Sequence, residues 1–245
     1  MTDRDGKIRL FVEADLGPGA EVALTAEQAH YLFTVMRLGP GAPVAAFNGR
    51  DGEWIAEARP AGRRGGALVA RRPGQPQRTP PDLWLAFAPI RKARTDFIVE
   101  KATELGCARV VPVMTRFTVA ERVRPDRLRA HAIEAAEQCG ETCVPEVADP
   151  VRLDALLDGW DPARRLMFCD ESRAARPAQQ ALVGAQPGPW AILTGPVGGF
   201  APEEADRLRR LPFVLPVTLG PRVLRADTAA VAAITLWQAA LGDWR

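Results

Sequence analysis

The chain has 245 residues, of which 47% are apolar and 25% are charged, and this balance excludes a disordered, collagen-like or disulfide-scaffold protein. Its 32 Lys and Arg residues nearly offset its 30 Asp and Glu residues, and a formal net charge of +2 gives no overall signature of polyanion binding. Any contact with nucleic acid must therefore come from local clusters of cations.

The first part of the chain is predicted to form a small β domain over residues 1–74. Short apolar runs, separated by Gly-Pro, Asn-Gly and Asp-Gly turn signals, predict strands at Ile8–Val12, Val44–Phe47, Trp54–Ala58 and Ala67–Ala70. One helix is predicted at Thr25–Met36, and His30 on its apolar face is interpreted as structural rather than catalytic. We expect a barrel-like fold.

Cations concentrate towards the end of this domain. Between residues 59 and 78 the chain carries no acidic residue and six arginines, Arg59, Arg63, Arg64, Arg71, Arg72 and Arg78. Arginine suits bidentate phosphate contacts, although a GC-rich genome would also favour it. Residues 73–81, which read PGQPQRTPP, lack apolar side chains and are stiffened by proline, so we expect a linker there.

After the linker, strands and helices alternate. The predicted strands are Leu83–Ala88, Val110–Val113, Leu166–Cys169, Ala191–Thr194 and Phe213–Leu219. The predicted helices are Thr95–Leu105, Asp126–Cys139, Pro202–Arg210 and Asp227–Leu241. This alternation predicts an α/β domain over residues 80–245, with a parallel sheet covered by helices.

A glycine-rich loop follows one of the buried strands. The segment 191–200 reads AILTGPVGGF, and a helix with an early proline and two acids comes next. Glycines at the carboxyl end of a parallel strand let a ligand approach the backbone closely, whereas a tight turn without a ligand is the alternative interpretation. Glu203 and Glu204 argue against a bound phosphate.

A second strand-to-helix loop, at residues 217–230, reads VTLGPRVLRADTAA and contains Arg222 and Arg225. Asp227 or Thr228 is predicted to cap the helix that follows. The two arginines are suited to an anionic or developing-anion substrate. The alternatives are that both are solvated, or that Arg225 pairs with Asp227.

Sites of other kinds are disfavoured. Cys139 and Cys143 have i, i+4 spacing, but His30 and His131 stand in unrelated contexts, so we expect no metal and interpret the cysteines as small buried hydrophobes. Four cysteines, no apolar leader after Met1 and no membrane-length apolar run predict a reducing cytoplasm and no membrane contact.

Five sequence blocks together resemble one family, the 16S ribosomal RNA uridine-N3 methyltransferases of the trefoil-knot (SPOUT) class. In chain order they are Arg9–Val12 with His30–Leu38, Glu100–Gly106, Glu134–Gln138 with Val144-Pro145, Gly195–Phe200, and Leu219–Ala229. Each block alone is weak, but their common order along nearly the whole chain is specific.

This resemblance implies an N-terminal PUA-like barrel that holds RNA, a knotted α/β domain that binds S-adenosylmethionine, and a homodimer acting on 16S rRNA in the small ribosomal subunit. Cofactor contacts are expected from Phe168, Leu193, Thr194, Gly195, Val197, Gly198, Gly199, Pro216, Leu219, Gly220, Leu224 and Ala226. RNA contacts are expected from Arg9, Arg37, Arg63, Arg64, Arg71, Arg72 and Lys101. Pairing of Lys101 with Glu104 or Glu100 is the alternative for that residue.

For catalysis, the resemblance and the chemistry favour Arg225 and Arg222 as stabilisers of a uracil anion, with Asp227 accepting the proton directly or through water. Three positions depart from the family pattern. Val197 replaces a usual glutamate, Asp227 replaces a longer glutamate, and Glu141 stands where an arginine is common. A catalytically silent RNA-binding or assembly protein, and methylation of another base, are therefore alternatives.

Overall fold

The computed structural model describes residues 8–62, 65–120 and 122–244, which divide into two units. Unit 1 contains the chain up to Thr79 together with Ala136–Val144, and unit 2 contains Pro80–Ala135 and Pro145–Arg245. The division falls at Thr79, and the return of Ala136–Val144 to unit 1 had no counterpart in the sequence pattern. We describe each unit by itself.

Unit 1 is built on a five-stranded sheet in the order β1-β3-β4-β5-β2. The strands are β1 (Arg9–Phe11), β2 (Glu21–Ala23), β3 (Pro43–Phe47), β4 (Glu53–Ala61) and β5 (Gly65–Pro73). The β1–β3 pair is parallel and the others are antiparallel. The four predicted strands are confirmed, and β2 was missed because only Val22 of its three residues is buried.

The predicted helix of unit 1 is two segments. Helix α1 (Ala26–His30) begins at a capping box formed by Thr25 and Gln28, and a π-helical segment, Tyr31–Val35, continues it. Leu32 is fully buried in the core of the unit.

The predicted linker binds to unit 1. The Glu53 N–H donates to the Gln75 carbonyl at 2.8 Å, and the Arg78 N–H donates to Thr142 Oγ1 at 2.9 Å. These bonds hold the segment against the unit, so its prolines do not make it a free spacer.

Unit 2 contains an eight-stranded parallel sheet. The βα alternation predicts its parallel character and five of its strands, and it missed three strands of two residues each. Seven strands follow the order β11-β13-β10-β12-β6-β7-β8, and β9 pairs with β7. In chain order the strands are β6 (Leu83–Phe87), β7 (Arg109–Met114), β8 (Glu146–Val147), β9 (Val151–Arg152), β10 (Arg165–Cys169), β11 (Arg176–Pro177), β12 (Trp190–Thr194) and β13 (Val214–Thr218). The helices are α2 (Lys92–Glu104), α3 (Pro125–Cys139), α4 (Leu153–Asp158), α5 (Ala178–Ala181), α6 (Pro202–Arg210) and α7 (Ala226–Leu241). The last four residues of α3 belong to unit 1.

Two helix starts differ from the sequence prediction. Helix α2 begins at Lys92, and Thr95 lies inside it, where its hydroxyl bonds to the Ile90 backbone at 3.0 Å instead of capping the helix. Helix α7 begins at Ala226 with Arg225 at the cap position and no side-chain cap, so the predicted capping by Asp227 or Thr228 is wrong.

The sheet order brings three strand ends together. Strand β10 lies between β12 and β13, with Phe168 opposite both Leu193 and Pro216. Because all three strands are parallel, their carboxyl ends meet at one edge, and the two loops singled out in the sequence both leave from it.

Candidate functional site

A cleft of about 1310 Å³ opens at this edge of unit 2. Its walls come from the loops after β6, β7, β10, β12 and the segment before α7. The residues are Arg91, Arg94, Arg116, Phe117, Thr118, Val119, Cys169, Glu171, Thr194, Gly195, Pro196, Val197, Gly198, Gly199, Val223, Leu224, Arg225, Ala226 and Ala229. The two loops predicted to share a site are therefore brought together.

The glycine loop is shaped by its own packing. Gly199 has φ +74°, and a Cβ there would collide with Glu171 Oε1. The same oxygen accepts the Phe200 N–H at 2.8 Å. A Cβ at Gly195 would come within 2.7 Å of the Phe200 ring. These two glycines are thus required by the turn itself, whereas a Cβ at Gly198 would meet only Phe117 at an ordinary 3.5 Å.

Two buried polar side chains lie at the base of the cleft. Thr194 is 1% exposed, and its Oγ1 has no hydrogen-bond partner within the described chain. Burial, followed by the charge of Glu171, raises the pKa of the Cys169 thiol to about 12, so this group stays neutral. An unpaired buried hydroxyl costs free energy unless a ligand or water completes it.

Four arginines line the cleft. Arg94 Nη1 forms an ion pair with Asp227 Oδ2 at 2.6 Å. The side chains of Arg91, Arg116 and Arg225 form no ion pair with any residue in the described ranges. Three free guanidinium groups beside a glycine loop make the cleft attractive to an anionic or developing-anion substrate.

The predicted catalytic residues separate into three positions. Arg225 lines the cleft, and Arg222 lines a smaller neighbouring pocket. Asp227 lines neither: one carboxylate oxygen accepts from Arg94 and the other accepts the Thr228 N–H at 3.0 Å. Asp227 thus pairs with the cleft residue Arg94 without lining the cleft itself, and its role as proton acceptor, directly or through water, stays a prediction.

The smaller pocket, of about 60 Å³, shares Cys169, Glu171 and Leu224 with the cleft. Of the predicted cofactor residues, Leu219, Gly220 and Leu224 line this pocket, and those lining the cleft are Thr194, Gly195, Val197, Gly198, Gly199, Leu224 and Ala226.

Three predicted cofactor residues line neither cavity. Phe168 and Leu193 are fully buried, and the Phe168 ring packs edge-on against Phe200 at 5.1 Å. Pro216 lies within β13, opposite Phe168. Their side chains support the strand ends, and cofactor contact through their backbone stays a prediction.

Arg9, predicted to hold RNA, is a structural residue of unit 1. Its guanidinium pairs with Glu53 at 2.8 Å, donates to the carbonyls of Ala136 and Glu141, and stacks on the Phe47 ring. The Arg9 side chain is 11% exposed, so phosphate contact is excluded by burial.

The other predicted RNA contacts differ in availability. Arg37 is exposed with φ +54°, while Arg71 pairs with Glu57 at 2.6 Å and Arg72 is also engaged. Lys101 in unit 2 pairs with Glu104 at 2.6 Å, the alternative named for it. Arg63 and Arg64 lie outside the described residues.

No cluster of three or more His, Cys, Asp or Glu side chains able to hold a metal ion occurs in the described chain. Cys107 and Cys169 are buried as expected, but Cys139 is exposed, so its interpretation as a buried hydrophobe is wrong. The helices that the structure describes are all too short or too polar to span a bilayer.

Among the cleft residues that the sequence reasoning missed are Arg91, Arg94, Arg116, Phe117 and Glu171. Each follows the carboxyl end of a strand that the sequence predicts. That position was the available signal, because loops at this edge of a parallel sheet form its binding sites.

Comparisons with known proteins agree with this architecture. The family model for an RNA methyltransferase domain matches residues 77–238, and that for an RNA methyltransferase PUA domain matches residues 24–63. A Rickettsia conorii protein named ribosomal RNA small subunit methyltransferase E is 26% identical over 228 residues, which cover 92% of this chain and 93% of that protein.

Two solved structures share the fold. A methyltransferase of Legionella pneumophila, solved with its cofactor SAM, has a TM-score of 0.85 at 28% identity, over 96% of this chain and 98% of that one. A ribosomal RNA small subunit methyltransferase E of Neisseria gonorrhoeae, bound to S-adenosyl methionine, has a TM-score of 0.85 at 24% identity, over 97% and 99%.

Proposed function

The chain belongs to the RNA methyltransferase family, with a PUA-like N-terminal domain and a SPOUT-like α/β domain, and from that premise we propose that it methylates uridine N3 in 16S ribosomal RNA. The donor in this proposal is S-adenosylmethionine, the cofactor named for the Legionella relative. Its place of action is the cytoplasm, where small ribosomal subunits are found.

The residues at the strand ends fit this cofactor. The unpartnered Thr194 hydroxyl supplies a hydrogen-bonding group, and Gly220, at φ +118°, leaves the space beside its backbone open. Glu171 lines both cavities and supplies a negative charge next to a cationic ligand. When bound, S-adenosylmethionine supplies an activated methyl group, so the protein itself needs little acid or base chemistry.

The chemical demand on the chain is stabilisation of a uracil anion. N3 becomes nucleophilic when its proton leaves, and the negative charge then spreads over the two neighbouring carbonyl oxygens. A guanidinium beside those oxygens favours this state. Arg225 carries this role, since it lines the cleft without an ion-pair partner in the described chain. The N3 proton passes to solvent water in the open cleft.

Phe117 offers the target base a surface to stack on. It is 45% exposed and is the aromatic residue among those lining the cleft. A base inside a stacked helix cannot present N3 to a methyl donor, so it must be flipped out, and aromatic faces hold flipped bases in many nucleic-acid enzymes.

We further propose that the active form is a homodimer. Three exposed valines surround the cleft, Val119, Val197 and Val223, each at least 71% exposed. Exposed apolar groups grouped around a site are typical of contact surfaces. Sedimentation equilibrium at micromolar concentration tests this proposal, and a monomer with full activity would contradict it.

Arg225, an arginine of the strand-to-helix loop that lines the glycine-lined cleft without an ion pair in the described chain, is the observation that carries the proposed function. The test is transfer of radiolabelled methyl groups to small subunits that lack the modification, with mass spectrometry of the product nucleotide. Arg225→Ala is expected to lower the rate of transfer by about 10²- to 10³-fold. Arg210→Ala is the matched control, because it removes the same charge from an exposed position that lines neither the cleft nor the smaller pocket.

A catalytically silent RNA-binding protein is the second candidate, favoured by Val197, which is 78% exposed where relatives usually carry glutamate. Calorimetric titration with S-adenosylmethionine separates the two functions. Cofactor binding without methyl transfer to either naked RNA or assembled subunits would favour the silent protein. Methylation at another position would retain the enzyme and change its substrate.

A further inference from the structure

A second cavity, of about 360 Å³, adjoins the cleft in unit 2, and we name it the flanking groove. It is formed by the loop after β6 and by the segment leading into α3. The lining residues are Pro89, Ile90, Arg91, Lys92, Thr95, Asp96, Val119, Ala120, Arg122, Val123, Arg124, Arg127 and Leu128.

The groove is strongly cationic. Among the residues that the structure describes, its lining contains five basic side chains and a single carboxylate, Asp96, which is buried and already paired with Arg127 at 2.5 Å. Arg124 pairs with Asp126 outside the lining. Arg91 and Arg122 are exposed and form no ion pair with the residues at 8–62, 65–120 or 122–244. Within the described part of the groove, positive charge therefore exceeds negative charge.

Another cavity of unit 2 shows that this excess is local. A hollow of about 710 Å³ beside α6 has four arginines in its lining, but it also has Asp154, Glu203 and Glu204. Arg207 in that hollow pairs with both Asp154 and Asp158. Charges there nearly cancel, so the hollow offers little attraction to a polyanion, in contrast to the flanking groove.

The flanking groove is continuous with the cleft, because Arg91 and Val119 line both. A single strand that leaves one nucleotide in the cleft would continue into the groove with its neighbouring phosphates. Arginine is suited to bidentate contact with those phosphates.

We propose that the flanking groove binds the backbone phosphates of the nucleotides next to the methylated one. Unit 2 then binds the RNA through Arg91 and Arg122, in addition to any contact made by the N-terminal arginines. This inference rests on the proposed function for its ligand. The groove arginines would also supply the phosphate contacts for which Arg9 and Arg71 are not free, since both form ion pairs within unit 1.

The test compares two double variants of the full-length protein that lose equal charge. Arg91→Ala/Arg122→Ala removes the two groove arginines that form no ion pair within the described ranges. Arg152→Ala/Arg210→Ala removes two exposed arginines from the charge-balanced hollow. The probe is a fluorescein-labelled 12-nucleotide single-stranded RNA, titrated at several salt concentrations between 50 and 300 mM.

Loss of two phosphate contacts should reduce the slope of log K against log salt by about 1.4 and weaken binding more than tenfold at 100 mM salt. The control should keep the wild-type slope. Arg91→Lys/Arg122→Lys should restore most of it, since a point charge also binds phosphate. Equal slopes for the two alanine variants would overturn the proposal and leave the groove to an acidic protein partner.

Calorimetry with S-adenosylmethionine keeps this result separate from the proposed function. Arg122→Ala alone, whose side chain lines the groove but not the cleft, should bind the cofactor as the wild type does. One outcome is that the wild type fails to methylate uridine while the groove variant still loses RNA affinity and the salt dependence of its binding. That result would refute the proposed enzyme function and support the proposed RNA contact in the groove. If transfer is normal and RNA binding by the groove variant is unchanged, only the groove assignment falls.

Discussion

The ion pair between Arg94 and Asp227 gives a sharp prediction about the chemistry of the cleft. Asp227 would be a general base if it faced the substrate, but its carboxylate instead fixes Arg94 in the wall of the cleft. We therefore expect Asp227→Asn to act by releasing Arg94, and Arg94→Met to have nearly the same effect as Asp227→Asn.

The size of the effect follows from the exposure of the two groups. The Asp227 side chain is 14% exposed and that of Arg94 is 42% exposed. Fully exposed pairs contribute at most about 1 kcal/mol, whereas breaking a fully buried pair costs about 3–5 kcal/mol. Solvent around Arg94 screens this pair, so we expect about 1–2 kcal/mol. That range corresponds to a rate loss of about 5- to 30-fold for either variant.

The assay is single-turnover methyl transfer at saturating RNA and cofactor, with a double-mutant cycle over the two residues. If positioning is the role, the double variant should lose no more than either single variant, giving a coupling free energy of about 1–2 kcal/mol. Arg94→Lys should recover part of the rate. The pH dependence of the rate should be the same in Asp227→Asn as in the wild type.

The reasoning would be refuted by a different pattern. A general base contributes about 10²- to 10⁴-fold, so a loss of that size in Asp227→Asn alone, with Arg94→Met close to wild type, would return the proton-acceptor role to Asp227. A changed pH–rate profile in Asp227→Asn would point the same way.

Three further predictions concern the glycine loop, acid stability and thiol chemistry. Gly199→Ala should lower both the melting temperature and the cofactor affinity, because φ at this residue is +74° and a carboxylate is packed against its backbone. In a thermal scan, Gly198→Ala should leave the melting temperature unchanged. Burial by itself would raise the pKa of Asp170, but hydrogen bonds from Arg209 and the neighbouring serine outweigh it and hold this pKa below its ordinary value. A lowered pKa stabilises the fold above the unfolded pKa of about 3.9 and ceases to do so as the pH falls through the folded value. At pH 7, Asp170→Asn should therefore lower the free energy of unfolding by about 2 kcal/mol, or the melting temperature by about 4–8 °C. The difference from the wild type should shrink below about pH 4. A difference of the same size at pH 7 and below about pH 4 would contradict the ion-pair explanation. Iodoacetamide at pH 8 should modify Cys139 rapidly and the other three cysteines slowly, and peptide mapping that finds a buried cysteine labelled first would contradict the assigned burial.

The sequence by itself determined the two-part architecture. Alternating strands and helices after residue 80 predict a parallel sheet with its loops at one edge, and glycine after a buried strand marks the edge where a ligand can approach. The strand predictions succeeded because runs such as Leu83–Phe87 and Trp190–Thr194 are buried and apolar along their whole length. Local pattern was sufficient for these features.

The tertiary structure determines where the helices begin and which charged side chains are neutralised. Thr95 has the chemistry of a capping residue, yet tertiary packing gives its hydroxyl to the Ile90 backbone. Arg9 lies among residues that suggest RNA contact, yet carbonyls from 136–141 surround its guanidinium. No sequence pattern indicates that Ala136–Val144 joins unit 1.

The cleft shows most clearly what the local sequence does not predict. Sequence spacing placed Asp227 next to Arg225, but its partner is Arg94, 133 positions away and brought near only by the folded sheet and helices. Electrostatic roles depend on separation in space, because the interaction of two charges falls with distance and with solvent around them. The sequence therefore identified the loops that form the site, and only the tertiary structure decided which of their cations are neutralised and which remain free to bind a substrate.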